Sequence, residues 1–149
     1  MWTINLYILT EAKGNTPEAG RVAYELETTR QNGSKGSVSD RCYLPDRNRN
    51  GAMLEGLELA LERVGNDQDA CMNVYTEAAM MNAHINNGNI WKWEKNGFMK
   101  ADGSPVAYAD LWESIAKDIR EKLNGRITMN TGIPCDIRKR LEQMIRDPY

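Results

Sequence analysis

The sequence predicts an α/β protein, a five-stranded mixed sheet flanked by helices, and three observations carry that expectation. Residues 2–44 hold three consecutive segments of strand-like alternation, so the chain opens as an antiparallel meander. From Ala52 the apolar spacing becomes helical, with Leu54, Leu57, Leu61 and Val64 sharing one face. The chain then returns to a short apolar run, "ACMNVYTE", and a strand reached through a helix lies parallel to an earlier one.

In the first segment Trp2, Ile4, Leu6 and Ile8 alternate with Thr3, Asn5, Tyr7 and Leu9, which are half apolar themselves. A central strand covered on both faces has that pattern. The turn-rich "KGNTPEAG" leads into Val22, Tyr24 and Leu26, alternating with Arg21, Glu25 and Glu27 as in a half-exposed strand. After the polar loop "RQNGSKGS", a weaker strand spans residues 38–44 and stops before Pro45. The helix from Ala52 presents Glu55, Glu58 and Glu62 on a polar face and ends at Gly65-Asn66. "ACMNVYTE" runs directly into a helical stretch with Met80, Met81 and Ile85, which "INNGN" breaks. An aromatic and basic segment, "IWKWEKNGFMKADGSPV", precedes a helix whose Leu111, Trp112, Ile115 and Ile119 share a face. "RITMNT" is the last strand. Ile137, Leu141, Met144 and Ile145 mark a C-terminal helix with Asp136 in its first turn, where an acid suits the helix dipole.

A chain of 149 residues is the size of one domain, expected over 1–149. Its 19 basic and 21 acidic side chains give a net charge of −2, so no overall field attracts polyanions and any nucleic-acid surface is local. Cys42, Cys71 and Cys135 form no CxxC pair and have no His neighbour, which argues against a disulfide framework or a zinc site and for a reducing, cytoplasmic setting. No apolar run reaches bilayer-spanning length and residues 2–5 alternate instead of forming a signal-peptide core, so no membrane partner is expected.

Two strands end alike, in "LTEA" and "YTEA". Ligands of such sheets sit outside the C-terminal ends of parallel strands, so Glu11 and Glu77 are read as an acidic pair delivered to one place rather than two unrelated surface carboxylates.

Three stretches carry a resemblance. "LTEAKGNTPEAG" keeps Thr10, Gly14 and Asn15 of a strand-and-turn motif, "YTEA" matches the end of a fourth strand, and "WEKNGFMKADGSPVAYADLW" matches a basic protrusion and the helix after it. On these the chain resembles the bacterial type HI ribonuclease H family. The resemblance implies a ribonuclease H-like fold and an activity, cutting the RNA strand of an RNA–DNA hybrid with two divalent ions, Mg²⁺ or Mn²⁺. It puts the family's carboxylates at Glu11, Glu77 and Asp136 as catalytic and metal-holding residues, but the fourth falls on Met53, whose thioether is a poor ligand for Mg²⁺. Glu55 takes that role only if the helix register shifts by two residues, a turn of about 200°. Glu in place of Asp at positions 11 and 77 lengthens each arm by about 1.5 Å. The family's mobile His before the last helix has no counterpart in "MNTGIPCD"; His84 lies elsewhere and is read as structural.

For substrate binding the resemblance implies Asn15 and Asn50, with Trp91, Lys92, Trp93, Lys95 and Lys100 of the protrusion tracking the nucleic-acid backbone. Trp93 and Phe98 are read first as packing residues. The leading functional expectation is binding of RNA–DNA hybrid or related double-stranded nucleic acid with impaired or absent cleavage. An active, divergent ribonuclease H comes second and a protein-interaction module third. An acid restored at Met53 is expected to raise cleavage if the ancestral geometry survives.

Overall fold

The computed structural model describes residues 2–11, 18–29, 32–65 and 70–146. Strands β1 (Trp2–Thr10), β2 (Glu18–Thr29) and β3 (Lys35–Arg47) form the meander, followed by α1 (Arg49–Glu62) and β4 (Ala70–Thr76). Three helices come next, α2 (Ala79–Asn86), α3 (Asn89–Lys95) and α4 (Ala109–Leu123), then β5 (Ile127–Thr131) and α5 (Cys135–Arg146). The strands lie in the order β3-β2-β1-β4-β5, antiparallel through β3, β2 and β1 and parallel from β1 through β4 to β5. This is the five-stranded mixed sheet that the alternation predicts, with β1 at its centre. Among the described residues no helix is long and apolar enough to cross a membrane.

Strand parity sorts the core into two layers. Ile4, Leu6 and Ile8 pack with Met72 and Val74 beneath α1 and α4, while Tyr7 and Leu9 face Ile137, Leu141 and Ile145 of α5. Helix α1 approaches the sheet closely because position 56 is Gly: a Cβ there would stand 2.8 Å from Val22 Cγ2 and 3.0 Å from Ile8 Cγ2. The other layer is pinned by arginines. Arg21 and Arg41 each donate at 2.5 Å to the carbonyls of Ile145 and Met144, satisfying acceptors that the end of α5 leaves unpaired.

Three differences from the sequence expectation have physical causes. β3 continues past Leu44 to Arg47, because it is an edge strand whose pairing with β2 shifts register between Gly20 opposite Leu44 and Glu18 opposite Arg47, where a proline is tolerated. α1 begins at Arg49, since Asn48 caps it by accepting from Gly51 N at 2.9 Å. The aromatic and basic segment starts as a two-turn helix, α3, entered through Gly88 at φ 82°.

Between α1 and α4 lies an acidic contact. Glu58 Oε1 accepts from Ser114 Oγ at 2.5 Å, its Oε2 is buried without a donor, and Asp118 stands beside it. Burial first, then the Asp118 and Glu62 charges, raises the Glu58 carboxyl to about 7 against Ser114, which lowers it; Glu55 faces Cys42 of β3 instead. The folded state therefore holds a proton that the unfolded chain has released above pH about 4.5. Stability is expected to fall as pH rises from about 4.5 to about 7 and to level off above. Glu58→Gln should remove that slope in denaturation curves measured across this range, because a Gln amide supplies the donor without titrating.

Candidate functional site

Parallel pairing of β1 with β4 sets Tyr7 opposite Tyr75, so Glu77 comes level with Leu9 and Glu11 lies two residues further on. Tyr7 and Tyr75 stack at 5.1 Å on the α5 side of the sheet, and the odd-numbered acids leave the strands on that side. Glu11 lines a cleft with Thr10, Arg138 and Glu142, and Glu77 forms an ion pair with the same Arg138. Arg138 is thus the side chain common to both acids, paired to Glu77 and forming a wall of the cleft that Glu11 lines. Arg138 also lies 3.8 Å from Glu142, and Arg49 at the start of α1 donates to the Glu77 carbonyl at 3.1 Å.

Asp136 is on the opposite flank of α5. Its carboxylate is 77% exposed and lies 3.9 Å from Arg140, which in turn makes two hydrogen bonds, 2.8 and 3.1 Å, to Glu25 on β2. Residues 136 and 138 are separated by about 200° around the helix, so the flank that reaches Glu77 excludes Asp136. Met53 is 2% exposed under the end of β4, and its sulfur accepts a hydrogen bond from the Thr76 hydroxyl at 3.5 Å. A thioether and a hydroxyl fill this corner. Among the described residues no three of His, Cys, Asp and Glu are grouped so as to hold a metal ion.

These residues do not fit a pair of divalent cations. Mg²⁺ requires several hard oxygen donors in near-octahedral array. Here one donor position is a buried sulfur, one carboxylate is paired to an arginine and another faces β2.

The proposed substrate contacts fall as follows. Asn15 lies outside the described residues. Asn50 is half-buried in the first turn of α1, beside Arg49 and therefore at the sheet end where Glu77 emerges. Lys92, Lys95 and Lys100 are exposed on α3 and the turn after it. Trp93 is packed, 4.7 Å from His84 and 5.4 Å from Trp112, whereas Trp91 carries the Arg120 guanidinium over its ring at 4.4 Å. His84 Nδ1 accepts from the Asn89 amide at 3.0 Å, and burial pushes its imidazole below the ordinary range. It belongs to the aromatic packing beneath the protrusion. Tyr108, at φ 60°, donates its hydroxyl to the Asn48 cap at 2.6 Å and so ties the chain after the protrusion to the start of α1.

Sequence reasoning missed Arg138, Arg49 and Tyr108. The signal for Arg138 was present: with Ile137, Leu141 and Ile145 as the buried stripe, residue 138 sits about 60° from Leu141 and residue 136 about 140°. Asp136 therefore points further from the sheet than its neighbour does.

No family model matches the sequence. Among curated proteins, the ribonuclease H of Caldanaerobacter subterraneus subsp. tengcongensis is 36% identical over 64 residues, 43% of this chain and 38% of that protein. The ribonuclease H of Caldicellulosiruptor saccharolyticus is 29% identical over 91 residues, 57% of this chain and 59% of that protein. The matches thus span less than two thirds of either relative. Solved structures extend the likeness of fold over nearly the whole chain. LC9-RNase H1, a type 1 RNase H with the type 2 active-site motif, has a TM-score of 0.71 at 14% identity, covering 95% of this chain and 69% of that one. LC11-RNase H1 in complex with RNA/DNA hybrid scores 0.62 at 18% identity, covering 95% and 93%. The foamy viral protease-reverse transcriptase in complex with dsDNA scores 0.66 at 13% identity, covering 97% and 90%. Similar to ribonucleases H in sequence over part of its length and in architecture over almost all of it, this chain is built on the ribonuclease H fold.

Proposed function

We propose that this chain binds RNA–DNA hybrid, or a duplex of similar shape, without cleaving it efficiently. The observation that carries the reading is the Arg138 guanidinium paired to Glu77, in the cleft that Glu11 also lines. Hydrolysis by a two-metal route needs ions that generate a nucleophile and steady the leaving oxygen. A guanidinium does neither, because it stays protonated and offers only donors. Binding needs less: Lys92, Lys95 and Lys100 are exposed and available to phosphates, and Asn50 stands in the first turn of α1 at the sheet end where Glu77 emerges. Two of the structures similar in fold were solved with RNA/DNA hybrid or dsDNA. The thiols of Cys42, Cys71 and Cys135 are free, which suits a reducing compartment such as the cytoplasm.

The test is a labelled hybrid incubated with the protein in Mg²⁺ or Mn²⁺, assayed for retardation and for cutting. A salt-sensitive shift without cutting is expected. Metal-dependent cutting that Glu77→Gln abolishes would assign an active nuclease instead. Failure to shift hybrid at low salt would leave protein interaction as the remaining use of the fold.

A further inference from the structure

We propose that Arg138 is a resident cation of this site, offsetting part of the negative charge at the ends of β1 and β4 so that a phosphodiester backbone can approach without a metal ion. The inference rests on the hybrid-binding reading and specifies how that surface works. Glu11, Glu77 and Glu142 gather around one cleft on the α5 side of the sheet. Three carboxylates there repel a polyanion, and without a counter-charge they would oppose the phosphates that the lysines of the protrusion attract. Arg138 supplies counter-charge from the first turn of α5, paired to Glu77 and 3.8 Å from Glu142, while Arg146 lines the same cleft and Arg49 holds the Glu77 main chain at 3.1 Å.

The position follows from the fold. Ile137, Leu141 and Ile145 fix the rotation of α5 on the sheet, and that rotation turns residue 138 toward β4. A guanidinium is always charged and carries five donors in a fork that suits both carboxylate and phosphate oxygens. It can therefore bridge Glu77 to an incoming phosphate, but it cannot lower the pKa of a bound water. Neutralisation is separated from catalysis.

Hybrid binding at matched ionic strength, followed by fluorescence anisotropy in EDTA and in Mg²⁺ or Mn²⁺, tests this with wild type, Arg138→Gln and Arg138→Lys. Thermal melts establish that each variant is folded. Wild type is expected to bind equally with and without metal. Arg138→Gln should bind about five- to tenfold more weakly in EDTA and recover when the divalent ion is added. Arg138→Lys, which keeps a cation, should remain metal-independent.

The recovery is the decisive signature, because a side chain that merely braced α5 would not be replaced by an ion in solution. Arg138→Gln binding as wild type in EDTA, or weakly and regardless of metal, overturns the proposal. So does a wild type that needs metal to bind, although hybrid binding itself would then stand. A wild type that binds no hybrid under any condition removes the underlying reading and this inference with it.

Discussion

Replacing Met53 by Glu is expected to lower stability by about 3 kcal/mol and to leave cleavage undetected. By the resemblance alone, an acid at this position completes the ligand set and raises cleavage. In the fold, however, Met53 is 2% exposed and its sulfur already accepts the Thr76 hydroxyl at 3.5 Å. A carboxylate placed there keeps one neutral donor and loses its water. Arg49, one turn earlier on α1, is the available cation, and it donates to the Glu77 carbonyl. A partial pairing with Arg49 holds the cost below that of a fully isolated buried charge.

For a chain of this length, about 3 kcal/mol corresponds to a fall in Tm of roughly 6–12 °C. Met53→Leu, which keeps the volume but removes the acceptor of the Thr76 hydroxyl, should cost about 1–2 kcal/mol, less than Met53→Glu. The defect of Met53→Glu should also shrink toward acid pH: burial raises a folded-state carboxyl, so the penalty is absent below the unfolded value of about 4.3 and grows as pH rises. A variant as stable as wild type that gained Mn²⁺-dependent cutting would show that this corner opens to solvent and accepts an ion.

The parts of the molecule legible in the sequence are those fixed by periodicity. Alternation located β1 and β2, the switch to helical spacing located α1, and the crossover made β4 parallel to β1, which is enough to bring Glu11 and Glu77 to one sheet end. Motif alignment did less well with direction. It placed Asp136 correctly along the chain, in the first turn of α5, but a position along a helix says nothing of rotation about it. The rotation is set by which residues α5 buries, and burial of Ile137, Leu141 and Ile145 leaves Asp136 facing Arg140 and Glu25. Met53 shows the same limit in another form, because a ligand position read from alignment carries no measure of its exposure. Trp93 was open to two readings in the sequence, and its tilted and edge-on contacts with His84 and Trp112 assign it to packing.

Trp112→Ala is expected to be the most disruptive single truncation on the protrusion side, costing about 3–5 kcal/mol. Trp112 is 1% exposed and packs edge-on to Trp93 at 5.4 Å and to His84 at 6.0 Å, so it joins α4, α3 and α2. Trp112→Phe should recover part of the loss, since a smaller ring still fills most of the space. The same helix also carries Arg120, which pairs with Glu94 and covers Trp91. Loss of the buried ring should therefore loosen the seat of the exposed lysines and weaken hybrid binding without removing any contact to nucleic acid.

Lys92→Ala and Lys95→Ala provide the contrasting case. Both side chains are exposed, so each substitution should leave the melting curve unchanged, weaken binding, and reduce the slope of log affinity against log salt by about one. The two outcomes separate support from contact: Trp112→Ala should move stability and affinity together, with the salt slope per lysine preserved in whatever binding remains. If the lysine variants bound with wild-type affinity and slope while Trp112→Ala still lost binding, the protrusion would be a structural element and the duplex would be held elsewhere, at the α1 end beside Asn50 and Arg138.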